Sequence, residues 1–157
     1  MKSLRPILPI LALLVVVPGQ AQETTSNSMD ILRQKVKADK KLLVDQNMQL
    51  TEAEAKGFWP VYEAYQKDLE GINKRTGSLI KSYAGDYNAN TLTDEKAKKL
   101  IDEALAIEEA QLKLRRTYSQ KLAQVLPQKK VARYLQIENK IRSALNYELA
   151  DGIPLVE

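Results

Sequence analysis

The residue types that carry most enzyme chemistry are absent from this chain, which has no His and no Cys among its 157 residues. The common general base, the usual nucleophile pairs and the soft metal ligands are therefore missing together. Thiolate and imidazole zinc sites, Glu-x-x-His di-iron sites and disulfides are all excluded. Neither a GxGxxG sequence nor a P-loop is present to bind nucleotide phosphates. We expect a protein that is not an enzyme and uses no cofactor.

Adjacent carboxylates are the remaining candidates for a metal site. Glu108 and Glu109 lie in "LIDEALAIEEAQLKLRR", where their oxygens could bind a hard cation. Acidic and basic residues alternate through this stretch, so a solvated helical face explains it better, and we expect no metal site. The same alternation, with a formal net charge of +4, differs from the concentrated positive surface of a nucleic-acid-binding protein. We expect no nucleic-acid partner.

Aromatic residues are grouped in "LTEAEAKGFWPVYEAYQ", residues 50–66, where the only Phe and the only Trp of the chain precede a proline. Pro60 lacks the amide that would continue the helical ladder, so the helix should bend or be reset there, with Gly57 relieving the crowding. Two interpretations of Phe58 and Trp59 stay open. Both rings are buried against the helical core, or they form a partly exposed binding surface.

The element that must position these rings is a long helix from Glu52 to Tyr83. Thr51 and Glu54 have the spacing of a capping box, and Leu50 precedes the cap as in a hydrophobic staple. Apolar residues then follow steps of four and three, which predicts a coiled-coil seam along a helix about 48 Å long. The seam positions are Phe58, Tyr62, Tyr65, Leu69, Ile72, Thr76, Leu79 and Tyr83. The turn after this helix is predicted at Gly85, Asp86, Asn88 and Asn90.

Three further helices are predicted, and no stretch has the pattern of a strand. The first runs from Met29 to Met48, with heptad positions at Met29, Leu32, Val36 and Leu43. The third begins after a Thr93 cap and carries an apolar stripe of Leu100, Ala104, Leu105, Ile107, Leu112, Leu114, Tyr118, Leu122 and Val125. Leu126-Pro127 marks its end. The fourth runs from Gln128 to Leu149 and buries Val131, Tyr134, Leu135, Ile141 and Leu145. The fold class is all-α, an elongated four-helix hairpin-like domain with long amphipathic helices.

The beginning of the chain has the layout of a secretory signal peptide. Lys2 and Arg5 precede an apolar run from Ile7 to Val17, and small residues follow up to Ala21. The run is shorter than the ~20 residues that span a bilayer, although an uncleaved segment would act as a membrane anchor. We expect residues 1–21 to be a cleaved signal peptide and 22–157 to be a single exported domain.

Two short motifs, "LTEAE" at 50–54 and "LPQKK" at 126–130, each open a helix in a small exported all-α chain. In this layout, over roughly Asp30 to Leu149, the chain resembles the LTxxQ-motif periplasmic proteins of the Spy/CpxP family. It departs from the motif at three positions. Glu54 and Lys130 replace Gln, and Pro127 replaces the second Thr. The motif and cap residues are Leu50, Thr51, Glu54, Leu126, Pro127 and Lys130.

The resemblance implies a thin helical hairpin that pairs into a homodimer and binds unfolded or misfolded envelope proteins in the periplasm without ATP. A long helix with a two-sided apolar stripe and few partners in its own chain also favours a dimer. The residues nominated for a client surface are Tyr62, Tyr65, Lys67, Lys74, Arg75, Arg115 and Arg116. For any single one of them, a solvated charge or a core ring is the better explanation. The alternative function is a regulatory partner that docks on the periplasmic domain of an envelope-stress sensor kinase.

The two Gln replacements carry opposite charges at the same motif position. One interpretation is a compensating ion pair between Glu54 and Lys130 across one end of the hairpin. The other is that Glu54 only completes its capping box with Thr51, while Lys130 points into solvent.

Overall fold

A computed structural model describes residues 37–156, and all regular secondary structure in that range is helical. The helices in chain order are α1, which covers residues 37–48 of the described range, α2 (Glu52–Asn88), α3 (Asp94–Ala123) and α4 (Gln128–Gly152). The predicted all-α class is confirmed. The predicted signal peptide at residues 1–21 and the predicted helix start at Met29 lie outside the described residues.

The chain divides into two compact units, Met1–Lys41 and Leu42–Glu157. The described part of the first unit is the helical stretch 37–41. The hydrophobic core lies in the second unit. Its buried residues are Val44, Met48, Phe58, Tyr62, Tyr65, Tyr118, Leu122, Leu126, Val131 and Tyr134.

The start of α2 has the capping box that the sequence predicts. The Glu54 amide donates to Thr51 Oγ1 at 3.3 Å, and the Thr51 amide donates back to Glu54 Oε2 at 2.8 Å. Glu52 and Glu54 also place negative charge in the first turn, where the helix dipole favours it. The helix therefore begins at the predicted residue.

The α2 seam is confirmed as the packed face of the helix. Phe58 is fully buried, Tyr62 and Tyr65 are each 3% exposed, and the five later positions are partly buried. Burial thus decreases from the N-terminal to the C-terminal half of α2. At 1.5 Å per residue its 37 residues extend about 55 Å.

The predicted end of α2 is wrong, because the helix continues past Tyr83 and includes Gly85, Asp86 and Asn88. Polar contacts from the following segment explain the difference. Asp86 Oδ1 accepts the Thr91 hydroxyl at 2.9 Å and the Lys96 ammonium at 2.6 Å. Asp86 therefore lies in the last turn of α2 and stabilises the following turn by accepting hydrogen bonds from residues beyond it. Asn90 does lie in the turn, in the left-handed region with φ 52°.

Pro60 lies inside α2 and on its exposed side, and the helix continues through it. Gly57 lies at a close approach between two segments of the fold. A Cβ added at Gly57 would lie 3.0 Å from Val125 Cβ, in the segment that joins α3 to α4. Gly57 therefore lets α2 approach that segment closely.

Several predicted apolar contacts are wrong in their details. Leu43 is 42% exposed and its neighbour Val44 is fully buried, so the packed face of α1 is one residue away from the predicted position. The sequence predicts Leu105, Leu112 and Leu145 in packed stripes, yet they are 55%, 44% and 58% exposed. Periodicity identifies an apolar face, but a face is buried only where another element covers it.

Candidate functional site

The two helix-opening motifs meet at one end of the helices through Lys130. Its ammonium donates to Glu54 Oε2 at 2.5 Å and to the Gln49 carbonyl at 2.9 Å. Gln49 follows α1 in the left-handed conformation, with φ 51°. The hydrogen bond from Lys130 lowers the pKa of Glu54, and the Thr51 amide adds to this effect. The ion pair and the capping box, which the sequence presents as alternatives, are both present.

The remaining motif residues surround this junction. Leu126 is 5% exposed in the core, and Leu50 packs against the same core. Pro127 is the N-cap of α4, and its carbonyl accepts the amides of Lys130 at 2.8 Å and Val131 at 3.1 Å. The motifs therefore join the α1–α2 link to the α3–α4 link, which is an architectural role.

Tyr62 and Tyr65, nominated for the client surface, are core residues. Tyr62 packs beside Phe58 and Tyr134, and Tyr65 lies edge-on to Tyr118 with ring centroids 5.3 Å apart. Burial raises the pKa of Tyr65 to about 12. Both nominations are corrected, because the long α2 seam presents these rings to α3 and α4.

The open question about Phe58 and Trp59 also has an answer. Phe58 is fully buried, with its ring centroid 5.2 Å from that of Tyr134 in an edge-on arrangement. Trp59 is partly buried, packs against the core and lies 5.0 Å from Phe58. Edge-on aromatic pairs of this kind stabilise cores beyond their area burial. The FWP step therefore contributes to packing between helices.

A buried polar cluster between α2 and α4 escaped prediction. Glu138 is 6% exposed, and its Oε1 accepts the Tyr134 hydroxyl at 3.0 Å and the Gln66 amide at 2.9 Å. A carboxylate inside an apolar interface requires such donors, because burying it alone would be costly. The spacing of Tyr134 and Glu138, four residues apart on the apolar face of α4, was the available sequence signal.

The five nominated cations are spread along α2 and α3. Lys67 is exposed, and Lys74 forms an exposed ion pair with Glu70 at 3.3 Å. Arg75 makes two hydrogen bonds to Glu103, at 2.9 and 3.1 Å, and so joins α2 to α3. Arg115 and Arg116 lie further along α3. Arg115 is twelve residues from Glu103, the partner of Arg75, which corresponds to about 18 Å along the helix at 1.5 Å per residue.

A shallow groove of about 480 Å³ lies between the C-terminal half of α2 and the N-terminal half of α3. The ion pairs Arg75–Glu103 and Lys96–Asp86 both line it and both join α2 to α3. These contacts lower the pKa values of Glu103 and Asp86, so the carboxylates stay ionised as partners of the cations. The other lining residues are Lys74, Ser78, Leu79, Ser82, Lys99 and Leu100.

Exposed aliphatic side chains form two strips elsewhere. Ile101, Leu105 and Leu112 are 59%, 55% and 44% exposed and fall within an arc of about 40° on α3, which we name the α3 strip. Leu145 and Leu149 are 58% and 42% exposed. They continue the α4 face that buries Tyr134 and Glu138 nearer the start of the helix, and we name them the α4 strip.

Within residues 37–156, no group of three or more Asp, Glu, His or Cys side chains is placed to hold a metal ion. In the same range, no helix is long and apolar enough to cross a membrane. Comparisons with protein-family models, curated proteins and solved structures found no match. The resemblance to the LTxxQ-motif family remains a prediction based on the two short motifs.

Proposed function

We propose that this chain is an exported periplasmic protein that binds unfolded envelope proteins without ATP, as a chaperone does. The observation that carries the proposal is the α3 strip, whose three large aliphatic side chains are each about half exposed in line along one helix. Single exposed leucines are ordinary on a protein surface, whereas an aligned set indicates an interaction site. The proposed client surface is therefore the α3 strip, in place of Tyr62 and Tyr65, which are buried.

The chemistry of the α3 strip suits weak contact with many partners. Aliphatic side chains on one helical face have no directional requirement, so they accept any apolar segment of an unfolded chain. Glu108 and Arg116 are exposed at the edges of the strip and keep its border charged. A narrow apolar strip with a charged border favours reversible binding over tight complexes.

The test is suppression of aggregation of a chemically denatured model client, followed by light scattering. The full chain should reduce scattering at near-stoichiometric amounts without ATP. The double variant Leu105→Ser/Leu112→Ser should lose at least half of that effect. Leu42→Ser is the matched control, because Leu42 has the same 55% exposure as Leu105 but lies on α1. No suppression by the full chain would contradict the proposal, as would equal loss in the control.

A regulatory docking protein would behave differently in the same experiments. It would leave aggregation unchanged and would recover one dominant partner from an envelope extract, such as the periplasmic domain of a sensor kinase. A chaperone should recover many partners, and fewer of them after the Leu105→Ser/Leu112→Ser change.

A further inference from the structure

The segment that follows α4 contacts the C-terminal part of α2. Ile153 is extended, with φ −103° and ψ 113°, as expected for a residue before proline. The Tyr83 hydroxyl donates to the Pro154 carbonyl at 2.9 Å. Tyr83 also packs beside Tyr87, with ring centroids 5.7 Å apart. Tyr83, one member of an aromatic pair on α2, therefore contacts an extended, proline-containing apolar segment, which we name the tail (residues 153–156).

The contact uses little of the tail's apolar surface. Ile153 is partly buried, but Leu155 is 88% exposed and Val156 is 61% exposed. The hydrogen bond joins the Tyr83 hydroxyl to a main-chain carbonyl. Because every peptide segment has main-chain carbonyls, this contact does not depend on the tail's sequence. Proline keeps the segment extended before binding, which reduces the entropy lost on docking. The tail is thus attached weakly and by features that many other segments share.

We propose that the Tyr83–Tyr87 pair is a docking site for extended, proline-containing apolar peptide segments, and that the tail is its resident occupant. Aromatic side chains with hydroxyl donors are a recurrent way of binding extended proline-containing peptides. The tail competes through its high effective concentration, and a client segment displaces it. This inference rests on the proposed binding of unfolded proteins, for which the site supplies a second contact and a built-in competitor.

The first test measures binding of a fluorescein-labelled peptide, ADGIPLVE, by fluorescence anisotropy. A chain that ends at Gly152 should bind the peptide at least threefold more tightly than the full chain, because the competitor is gone. Adding Tyr83→Phe to the shortened chain should weaken binding about three- to tenfold, the range for one hydrogen bond. Tyr147→Phe is the matched control and should change nothing, because Tyr147 is an exposed tyrosine on α4.

Either of two results in this test overturns the proposal. The first is equal affinity of the full and the shortened chain for the peptide. The second is equal affinity of the shortened chain with and without the Tyr83→Phe change.

A second measurement keeps the chain at full length, in case the shortened chain folds poorly. The sequence has no Cys, so Val156→Cys provides a single attachment point for a nitroxide label. The docked tail should give a motionally restricted spectrum. Either Tyr83→Phe or excess ADGIPLVE peptide should increase label mobility, and Tyr147→Phe should not. Label mobility that is the same with and without Tyr83→Phe, and with and without excess peptide, overturns the docking.

The two proposals fail separately. Peptide binding is measured without any denatured client, so a chain that binds the peptide but does not suppress aggregation would retain the docking site and lose the chaperone function. A chain that suppresses aggregation but does not bind the peptide would support the chaperone function and contradict the docking site.

Discussion

At the scale of single residues, one carboxylate oxygen of Glu54 takes part in both a helix cap and an ion pair. Its Oε2 accepts both the Thr51 amide, which completes the α2 cap, and the Lys130 ammonium from α4. A carboxylate oxygen has two acceptor positions, so the two bonds are compatible. The cap orients the carboxylate, and the ion pair then fixes α4 on that oriented group. The two helix-opening motifs are therefore in contact through this ion pair.

The ion pair predicts energetic coupling between residues 54 and 130. Glu54→Gln keeps an acceptor for the cap but removes the charge, so a double-mutant cycle with Lys130→Gln isolates the pair. Urea unfolding should show that the double variant loses less stability than the sum of the single variants, and the coupling should shrink in high salt. The Lys98–Asp102 pair, with side chains 75% and 60% exposed, is the control and should show little coupling. Strictly additive effects at residues 54 and 130 would contradict the pair.

Acid should destabilise the fold through the same group. Lys130 lowers the pKa of Glu54 in the folded state, so the folded protein binds this proton less readily than the unfolded chain. The resulting stability is present above the unfolded pKa of about 4.3 and is lost as pH falls through the folded value. Urea midpoints measured from pH 6 down to pH 3 should therefore decline below about pH 4.5. Glu54→Gln should make the decline shallower, and an unchanged slope would show that other acids dominate.

At the scale of elements, local signals predicted where helices begin better than where they end. The caps at Thr51 and Thr93 are confirmed, because a cap needs only a side chain and the amide three residues later. The end of α2 depends on Asp86, whose partners Thr91 and Lys96 come later in the chain. No local pattern contains that contact. The seam was predictable because it is also a local signal. Its apolar residues recur in consecutive turns of a single helix.

The glycines of α2 predict opposite effects of the same substitution. Gly57→Ala places a Cβ 3.0 Å from Val125 Cβ and should destabilise the fold by about 1–2 kcal/mol after the gain in helix propensity. Gly71→Ala meets nothing within 4 Å and should stabilise the fold by about 0.5–1 kcal/mol. Urea unfolding measures both. Val125→Ala should recover part of the loss in Gly57→Ala, and equal stabilisation by the two alanines would contradict close packing at Gly57.

At the scale of the whole molecule, the helical class followed from the sequence, but the positions of the exposed apolar faces did not. Aromatic rings suit binding, which favours Tyr62 and Tyr65 as a client surface, yet their place on the seam buries them. Glu138 was not predicted to be buried, because a single carboxylate in a helical sequence ordinarily indicates a solvated position, and only its spacing of four residues from Tyr134 pointed to the apolar face. Which apolar face stays uncovered depends on how α3 and α4 pack, and that is a property of the assembled helices.

The α4 strip predicts self-association, which the sequence also favours on grounds of helix length. The apolar face of α4 is buried at Tyr134 and Glu138 but exposed at Leu145 and Leu149. A second copy that supplied the same face would continue this core across a two-fold axis, where each strip meets its equivalent. Two leucines are far less than the roughly 800 Å² per partner of a standard interface, so the pair should be concentration-dependent.

Sedimentation equilibrium between about 1 and 100 μM, the range of a weak pair, should therefore show a monomer–dimer equilibrium. Leu145→Ser/Leu149→Ser should shift that equilibrium to monomer, because the change removes the apolar centre of the interface. Leu105→Ser/Leu112→Ser makes the same chemical change on α3 and should leave the dimer intact, which would separate self-association from client binding. A monomer at every concentration would rule out pairing through α4. Loss of the dimer in the α3 variant would instead place both activities on one surface, and clients and the second copy would then compete for it.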